Sequence, residues 1–572
     1  MKMLGRKGFV PLIMLALTLG LVAACTGGGQ EDPTPSNGPG TGATATPSEN
    51  GGPTTEPGGE IQRGGTINRW ITQPAENWDI GFGTNSSADW ANDMMYESLL
   101  QFRVGPDTAF DQVVLEPGLA ESWEVSDDAT VFTFHLRQGV HWADLPPVNG
   151  REVTSEDVKF SFEYTTRTGE FADMDEYFAN LNMASSLYAG LFSGLESIET
   201  PDPYTVVLTF PEPYAPFLTF AADGATRIFP REIYDEDGHF RDHAMGTGAF
   251  QMDWDASSNT EYTLRANEDY WQEDLPYLDA VRAVVIPDAS TAFGAFAVGQ
   301  LHMLAQSGYD IVPEEAQQIR AQNSDAVVLE ISDATPQHMY VNTRRPPFDD
   351  VRVRRALSLG INRQELIDTF TGGKGAWAMA GVMPSHFTQE EVKEIVRYDP
   401  EEAQALLAEA GYPNGVDIEF FLSARYGQSY ATRVELLQAQ LAQAGFNMSL
   451  RTFDHAEYLE NTRGNTFDIT FRGKSVQSDV QSYLQQYVST DGRNYSGVND
   501  PVLDELIEQQ RAIGDEAERN EVIRQIGLRI NDEMVWDMAL FRDITLFAHD
   551  DSVKGFNPHW VGDPYPYVWL DE

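Results

Sequence analysis

The sequence predicts an α/β fold, because strand-like alternation and helix-like periodicity are interleaved along it and no repeat of fixed period organises them. In residues 131–136, Phe132, Phe134 and Leu136 share one face by the period of two. Residues 205–210 are similarly rich in strand formers, so both stretches read as half-buried strands. Asp399-Pro400-Glu401-Glu402 places a cap, a first-turn proline and a capping-box acid before Ala403, Leu406, Leu407 and Ala410, with Gly411 as the stop. A second helix follows Pro346-Pro347-Phe348-Asp349-Asp350 and carries Val353, Ala356, Leu357, Leu366, Ile367 and Phe370 at helical spacing up to Gly372-Gly373. A third spans 433–444 and ends at Gly445.

At 572 residues, 41% hydrophobic and 22% charged, the chain is long enough for a large buried core. Its length corresponds to roughly three or four units of ~150 residues. The start reads differently: Lys2, Arg6 and Lys7 precede an apolar run over 9–22 and a small-residue exit, Val22-Ala23-Ala24-Cys25. That run has 14 residues, and a spanning helix needs about 20, so a secretion signal is the expectation for residues 1–24. Cys25 is the only cysteine, which excludes internal disulfides and thiolate metal sites. Placed after Val-Ala-Ala, Cys25 resembles the lipidated cysteine of bacterial lipoproteins, implying a membrane anchor. Residues 26–60 hold 25 Gly, Pro, Ser or Thr among 35 and no aromatic, so residues 25–60 read as a lipidated cysteine and its tether.

A formal charge of −50, with only 7 lysines among 38 basic residues, argues against nucleic acid as a partner, since phosphate backbones require clustered cations. No G-x-S-x-G elbow occurs, and no cysteine is left as a nucleophile beyond Cys25. His239 and His243 stand four apart beside Glu236 and Asp237, but Gly238 interrupts the helix a metal pair would need, so a surface loop is expected. Neither an enzyme nor a cofactor is expected.

Several motifs then recur in a recognisable order. They run from Arg63-Gly64-Gly65-Thr66-Ile67-Asn68 and Tyr96-Glu97-Ser98-Leu99-Leu100 to the long run 119–142, which begins Leu119-Ala120-Glu121-Ser122-Trp123. Gly246-Thr247-Gly248-Ala249-Phe250, Asn267-Glu268-Asp269-Tyr270-Trp271 and residues 346–357 come next. Together they resemble the family 5 extracellular solute-binding proteins of ABC importers, whose members include oligopeptide-, dipeptide- and nickel-binding proteins.

The resemblance implies a two-lobe, periplasmic-binding-protein-like type II fold with a subdomain inserted in the first lobe. The first lobe would comprise 61–105, 225–335 and 540–572, the subdomain 106–224, and the second lobe 336–539. His135, His141 and Trp123 would then be structural. The implied role is extracytoplasmic capture of a small ligand by a monomer that hands it to importer permease subunits. Peptide is the leading ligand class, followed by oligosaccharide and then a nickel chelate. A secreted hydrolase on the same scaffold, or a receptor presenting ligand to a membrane sensor, is the alternative of a different class.

In the family, a strand of the second lobe and the loop after it run along the ligand, and here the match is 466–475. Phe467, Ile469 and Phe471 would face the core, and Asp468, Thr470 and Arg472 the other way. Phe471, Arg472, Gly473, Lys474 and Ser475 are therefore expected at the ligand, with Trp70 and Asn85 from the first lobe. Trp78, Trp90 and Trp142 are further aromatic candidates whose bland alternative is core packing. Peptide-binding members carry a tryptophan and an amine-binding aspartate where this chain has Gly473 and Val476. Asp479 matches a later acidic position, and Arg472 and Lys474 suit a carboxylate or hydroxyls.

Overall fold

The computed structural model describes residues 60–79, 86–171, 194–304, 311–471, 478–491, 493–562 and 564–571. The expected signal, Cys25 and most of the tether lie outside them. The strand expected over 131–136 is Val131–Leu136, in which Phe132, Phe134 and Leu136 are buried and their neighbours half-exposed. It forms the inner part of an antiparallel four-stranded sheet ordered Ala120–Val125, Val131–Leu136, Thr205–Thr209, Ser197–Asp202. The rings of Phe210 and Phe217 stand edge-on to Phe132 at 5.7 and 5.1 Å, which turns the alternating face into a packed aromatic core. Trp123, on the flanking strand, packs against this core but is only half-buried.

A ten-stranded mixed sheet carries the rest. Its order is Phe446–Phe453, Val416–Ser423, Ile469–Phe471, Ala326–Val341, Met538–Asp550, Met303–Leu304, Thr66–Ile71, Ala280–Val285, Glu261–Ala266, Phe250–Met252. Two long antiparallel strands in the middle, Ala326–Val341 and Met538–Asp550, pair from Ala326 opposite Asp550 to Met339 opposite Met538. The pairing shifts register between Ser332, Pro336 and His338, and such bulges bend a strand. Buried side chains divide around this bend. Leu329 and Phe547 join one core with Ile67, Phe132 and Leu264, whereas Met339, Val341, Met538 and Phe541 join another with Phe420, Leu437 and Phe446. Two cores joined by two strands make a two-lobe α/β protein. A further core in the second lobe gathers Tyr483, Tyr487, Ile507 and Ile526.

The helix at 400 forms as expected: Asp399 accepts from the Glu402 amide, and Pro400–Glu409 follows. The stretch after Asp350 is two helices, not one, Val351–Leu359 and Arg363–Thr371. Gly360 separates them where a Cβ would come within 2.7 Å of the Ala444 side chain, and Asn362 starts the second by accepting from the Glu365 amide. The third helix begins earlier than expected and covers Gly427–Gln443. As expected, His239 and His243 lie in a loop: Arg231–Asp237 ends at Gly238, φ 73°, and His243 Nδ1 meets Asp237 Oδ2 at 2.6 Å.

Candidate ligand cleft

Strand direction locates the cleft. In the second lobe, Val416–Ser423 runs parallel to Phe446–Phe453 and to Ile469–Phe471. Ile469–Phe471 is antiparallel to the crossing strand, with Ile469 opposite Val341 and Phe471 opposite Met339. Because Ala326–Val341 runs from the first core to the second, the carboxyl ends of these three strands point back toward the first lobe. In the first lobe, Thr66–Ile71 runs parallel to Ala280–Val285 and to Met303–Leu304. Met303 and Leu304 oppose His549 and Ala548 of the returning strand, so these carboxyl ends point toward the second lobe. Open α/β sheets bind ligands beyond strand carboxyl ends, and here two such sets face each other across the bend.

The rim of the second lobe is built from the residues just past Ser423. A turn, Ala424–Tyr426, leads into Gly427–Gln443, and Gly427 adopts φ 74° there, a conformation that favours glycine. Tyr426 and Tyr430, one helical turn apart, stack with ring centres 5.1 Å apart and planes at 28°. Each is braced edge-on, Tyr426 by Tyr458 at 5.8 Å and Tyr430 by Phe471 at 5.5 Å. Both remain half-buried, and Arg425 beside them is exposed and makes no ion pair among the described residues. Desolvation raises the Tyr430 hydroxyl above the usual tyrosine range, opposed by the nearby Arg433 charge and a hydrogen bond with the Gln337 side chain. Beneath it, Arg433 pairs with Asp543 at 2.6 Å, while the rings of Tyr430, Phe370 and Phe541 lie 5.2, 5.2 and 5.4 Å from its guanidinium.

Phe471 lies at the base of this rim, buried, with its ring 4.9 Å from Phe420. Thr470 does not face outward as the alternation predicts. It is 1% exposed, and its hydroxyl donates to the Phe421 carbonyl at 2.8 Å, because this part of the sheet is covered on both faces. Arg472, Gly473, Lys474, Ser475 and Asn85 lie outside the described residues.

The structure gives Trp70 a packing role. It is 2% exposed, its indole N–H donates to the Ile286 carbonyl at 2.7 Å, and its ring stands edge-on to Phe293. Trp78, Trp90 and Trp142 are likewise buried in the first core. Asp479 is held by Arg519 through two hydrogen bonds of 2.8 and 2.7 Å and also accepts from the Gln481 amide, capping Val480–Leu484. Its carboxylate thus has partners within the protein on both oxygens. Contacts also cross between the lobes near here: the Ala215 amide donates to the Arg511 carbonyl at 2.8 Å, and the Ser478 hydroxyl to Asp223 at 2.7 Å. Sequence reasoning missed Arg425, Tyr426 and Tyr430, although their position directly after a strand and before a helix was the available signal.

The profile of the bacterial extracellular solute-binding proteins, family 5, matches residues 114–495, more than half of the chain. The chain belongs to this family. This family 5 protein is 26% identical over 478 residues to the dipeptide-binding protein of Escherichia coli strain K12, covering 79% of the chain and 84% of that relative. It is 26% identical over 506 residues to heme-binding protein A of Haemophilus influenzae, covering 85% and 87%. Its fold matches the structure of HbpA2 from Haemophilus parasuis with a TM-score of 0.77 at 24% identity, covering 89% of the chain and all of that structure. Among its described residues, no helix is long and apolar enough to cross a membrane.

Proposed function

We propose that this protein is an extracytoplasmic receptor that closes its two lobes on a peptide and delivers it to an ABC importer. The observation that carries the reading is the pair of opposed strand carboxyl ends, with half-exposed aromatics on one rim and an exposed Arg425 that makes no ion pair among the described residues. Such a rim supplies apolar contact area and a carboxylate-binding charge in a site that closure shields from water. The peptide class rests on the dipeptide-binding relative. The segment after Phe471, with Arg472 and Lys474, would lie along the ligand, and Gly473 and Val476 leave no acid for a free amino group in the family's usual place. Peptide termini would then be read mainly at the carboxylate end.

Isothermal titration of the purified protein against di- and tripeptides, their amidated forms, cello-oligosaccharides and haemin tests the reading. Peptide binding that weakens on C-terminal amidation is the expected result; binding of the sugars or haemin alone would replace the ligand class. We further propose that lipidated Cys25 holds the protein at the membrane. Cys25→Ser should move it from the membrane fraction to the soluble extracytoplasmic fraction, and persistence in the membrane fraction would reject the anchor.

A further inference from the structure

The stacked pair Tyr426 and Tyr430 has a geometry that the architecture alone does not require. Both rings stand at the cleft rim, packed against the second-lobe core on one side and keeping part of their surface exposed on the other. Each ring is fixed by an edge-on neighbour, Tyr458 for one and Phe471 for the other, so neither is free to turn away. Tyr458 is itself held, its hydroxyl bonded to the Phe471 carbonyl and 3.0 Å from Thr470 Oγ1. The result is a rigid aromatic shelf whose ordering cost is met by folding, not by binding. An aromatic ring or broad apolar group stacking on the shelf gains contact area and the preferred offset or edge-on ring geometry, whereas a methyl side chain gains little.

We propose that the Tyr426–Tyr430 shelf is a specificity-determining subsite that selects peptides bearing an aromatic or broad apolar side chain. This rests on the peptide reading of the cleft. The subsite acts on side-chain choice and leaves recognition of the peptide backbone and carboxylate to other parts of the cleft.

The test is a matched pair of tripeptides, Ala-Phe-Ala and Ala-Ala-Ala, titrated calorimetrically into the wild-type protein and into Tyr426→Ala, Tyr426→Leu and Tyr426→Phe. The wild type should bind the phenylalanine peptide roughly 3- to 10-fold more tightly. Tyr426→Ala and Tyr426→Leu should weaken Ala-Phe-Ala more than Ala-Ala-Ala and so remove most of that ratio, and Tyr426→Phe should restore it. A melting curve for each variant identifies any that fail to fold, and the leucine variant keeps the bulk needed for packing if the alanine variant does not. Equal binding of the two peptides by the wild type, or a ratio that survives in both Tyr426→Ala and Tyr426→Leu, would overturn the subsite while leaving the peptide reading intact. Failure of both peptides to bind the wild type would overturn both.

Discussion

Two regions of the second lobe sit close to the cleft and treat their polar groups in opposite ways. At Asp479 a buried carboxylate and the half-buried Arg519 guanidinium satisfy each other in a two-pronged pair, with the amide of Gln481 taking a further lone pair. At the rim, Arg425 and the faces of Tyr426 and Tyr430 are left partly in water, although a few residues away Arg433 is enclosed by three rings and paired. A buried ion must be paired or it destabilises the fold, so the first region has its chemistry consumed by the scaffold. The second keeps groups available to a ligand because solvent satisfies them until one arrives.

The comparison breaks most sharply at Asp479. Asp479→Ala should cost about 2–4 kcal/mol of stability in chemical denaturation, because the largely enclosed Arg519 loses its counter-ion and keeps only the hydrogen bond to Gln510 among the described residues. Adding Arg519→Leu should recover part of that loss. Lost ligand affinity with unchanged stability would instead return Asp479 to the binding site. Trp70→Ala tests the same distinction in the first lobe. Removal of this packed indole should cost roughly 3–5 kcal/mol and leave affinity unaltered at temperatures where the variant is folded; a selective loss of affinity would contradict the packing role.

Glu97 extends the comparison to a carboxylate held by neutral donors. The indole N–H of Trp271 reaches it at 2.8 Å and the Tyr270 hydroxyl at 3.1 Å, while desolvation dominates and pushes its carboxyl up to about 7. A folded-state value above the unfolded one means that the native state binds the extra proton. This contribution to stability is therefore fully present below the usual glutamate range and is lost as pH rises through about 7. The melting temperature should fall over that interval in the wild type and fall less in Glu97→Gln; identical profiles would place the titration elsewhere. The smallest effect is expected at the rim. Arg425→Ala should change stability by no more than about 0.5 kcal/mol. It should weaken carboxylate-bearing peptides by about 2- to 5-fold, an effect that shrinks as salt is added. A loss independent of salt would argue for a packing role.

Much of the architecture was legible residue by residue. The cap and stop around Pro400–Glu409 were written in Asp399, Pro400 and Gly411, and the alternation of Phe132, Phe134 and Leu136 marked a buried strand face. The same logic misjudged Thr470, since a period of two reveals faces but not whether a second layer covers the outer one. It also joined two helices across Gly360 and Asn362, although Asn362 caps the second one locally; what lay out of sight was that Ala444, distant in the chain, leaves no room for a side chain at Gly360. Trp70 and Asp479 suit a ligand pocket by residue type, since aromatics and acids are common there; their actual partners, Ile286 and Arg519, lie 216 and 40 residues away.

By itself the sequence determined the α/β class, the principal caps and strand faces, and the family to which the chain belongs, because these rest on local periodicity and on motifs in a fixed order. Only the tertiary structure decided which charges are consumed by partners and which aromatics stay at the cleft rim. That depends on what packs against each side chain from distant parts of the chain, and on the direction in which the two crossing strands carry the sheet from one core to the other.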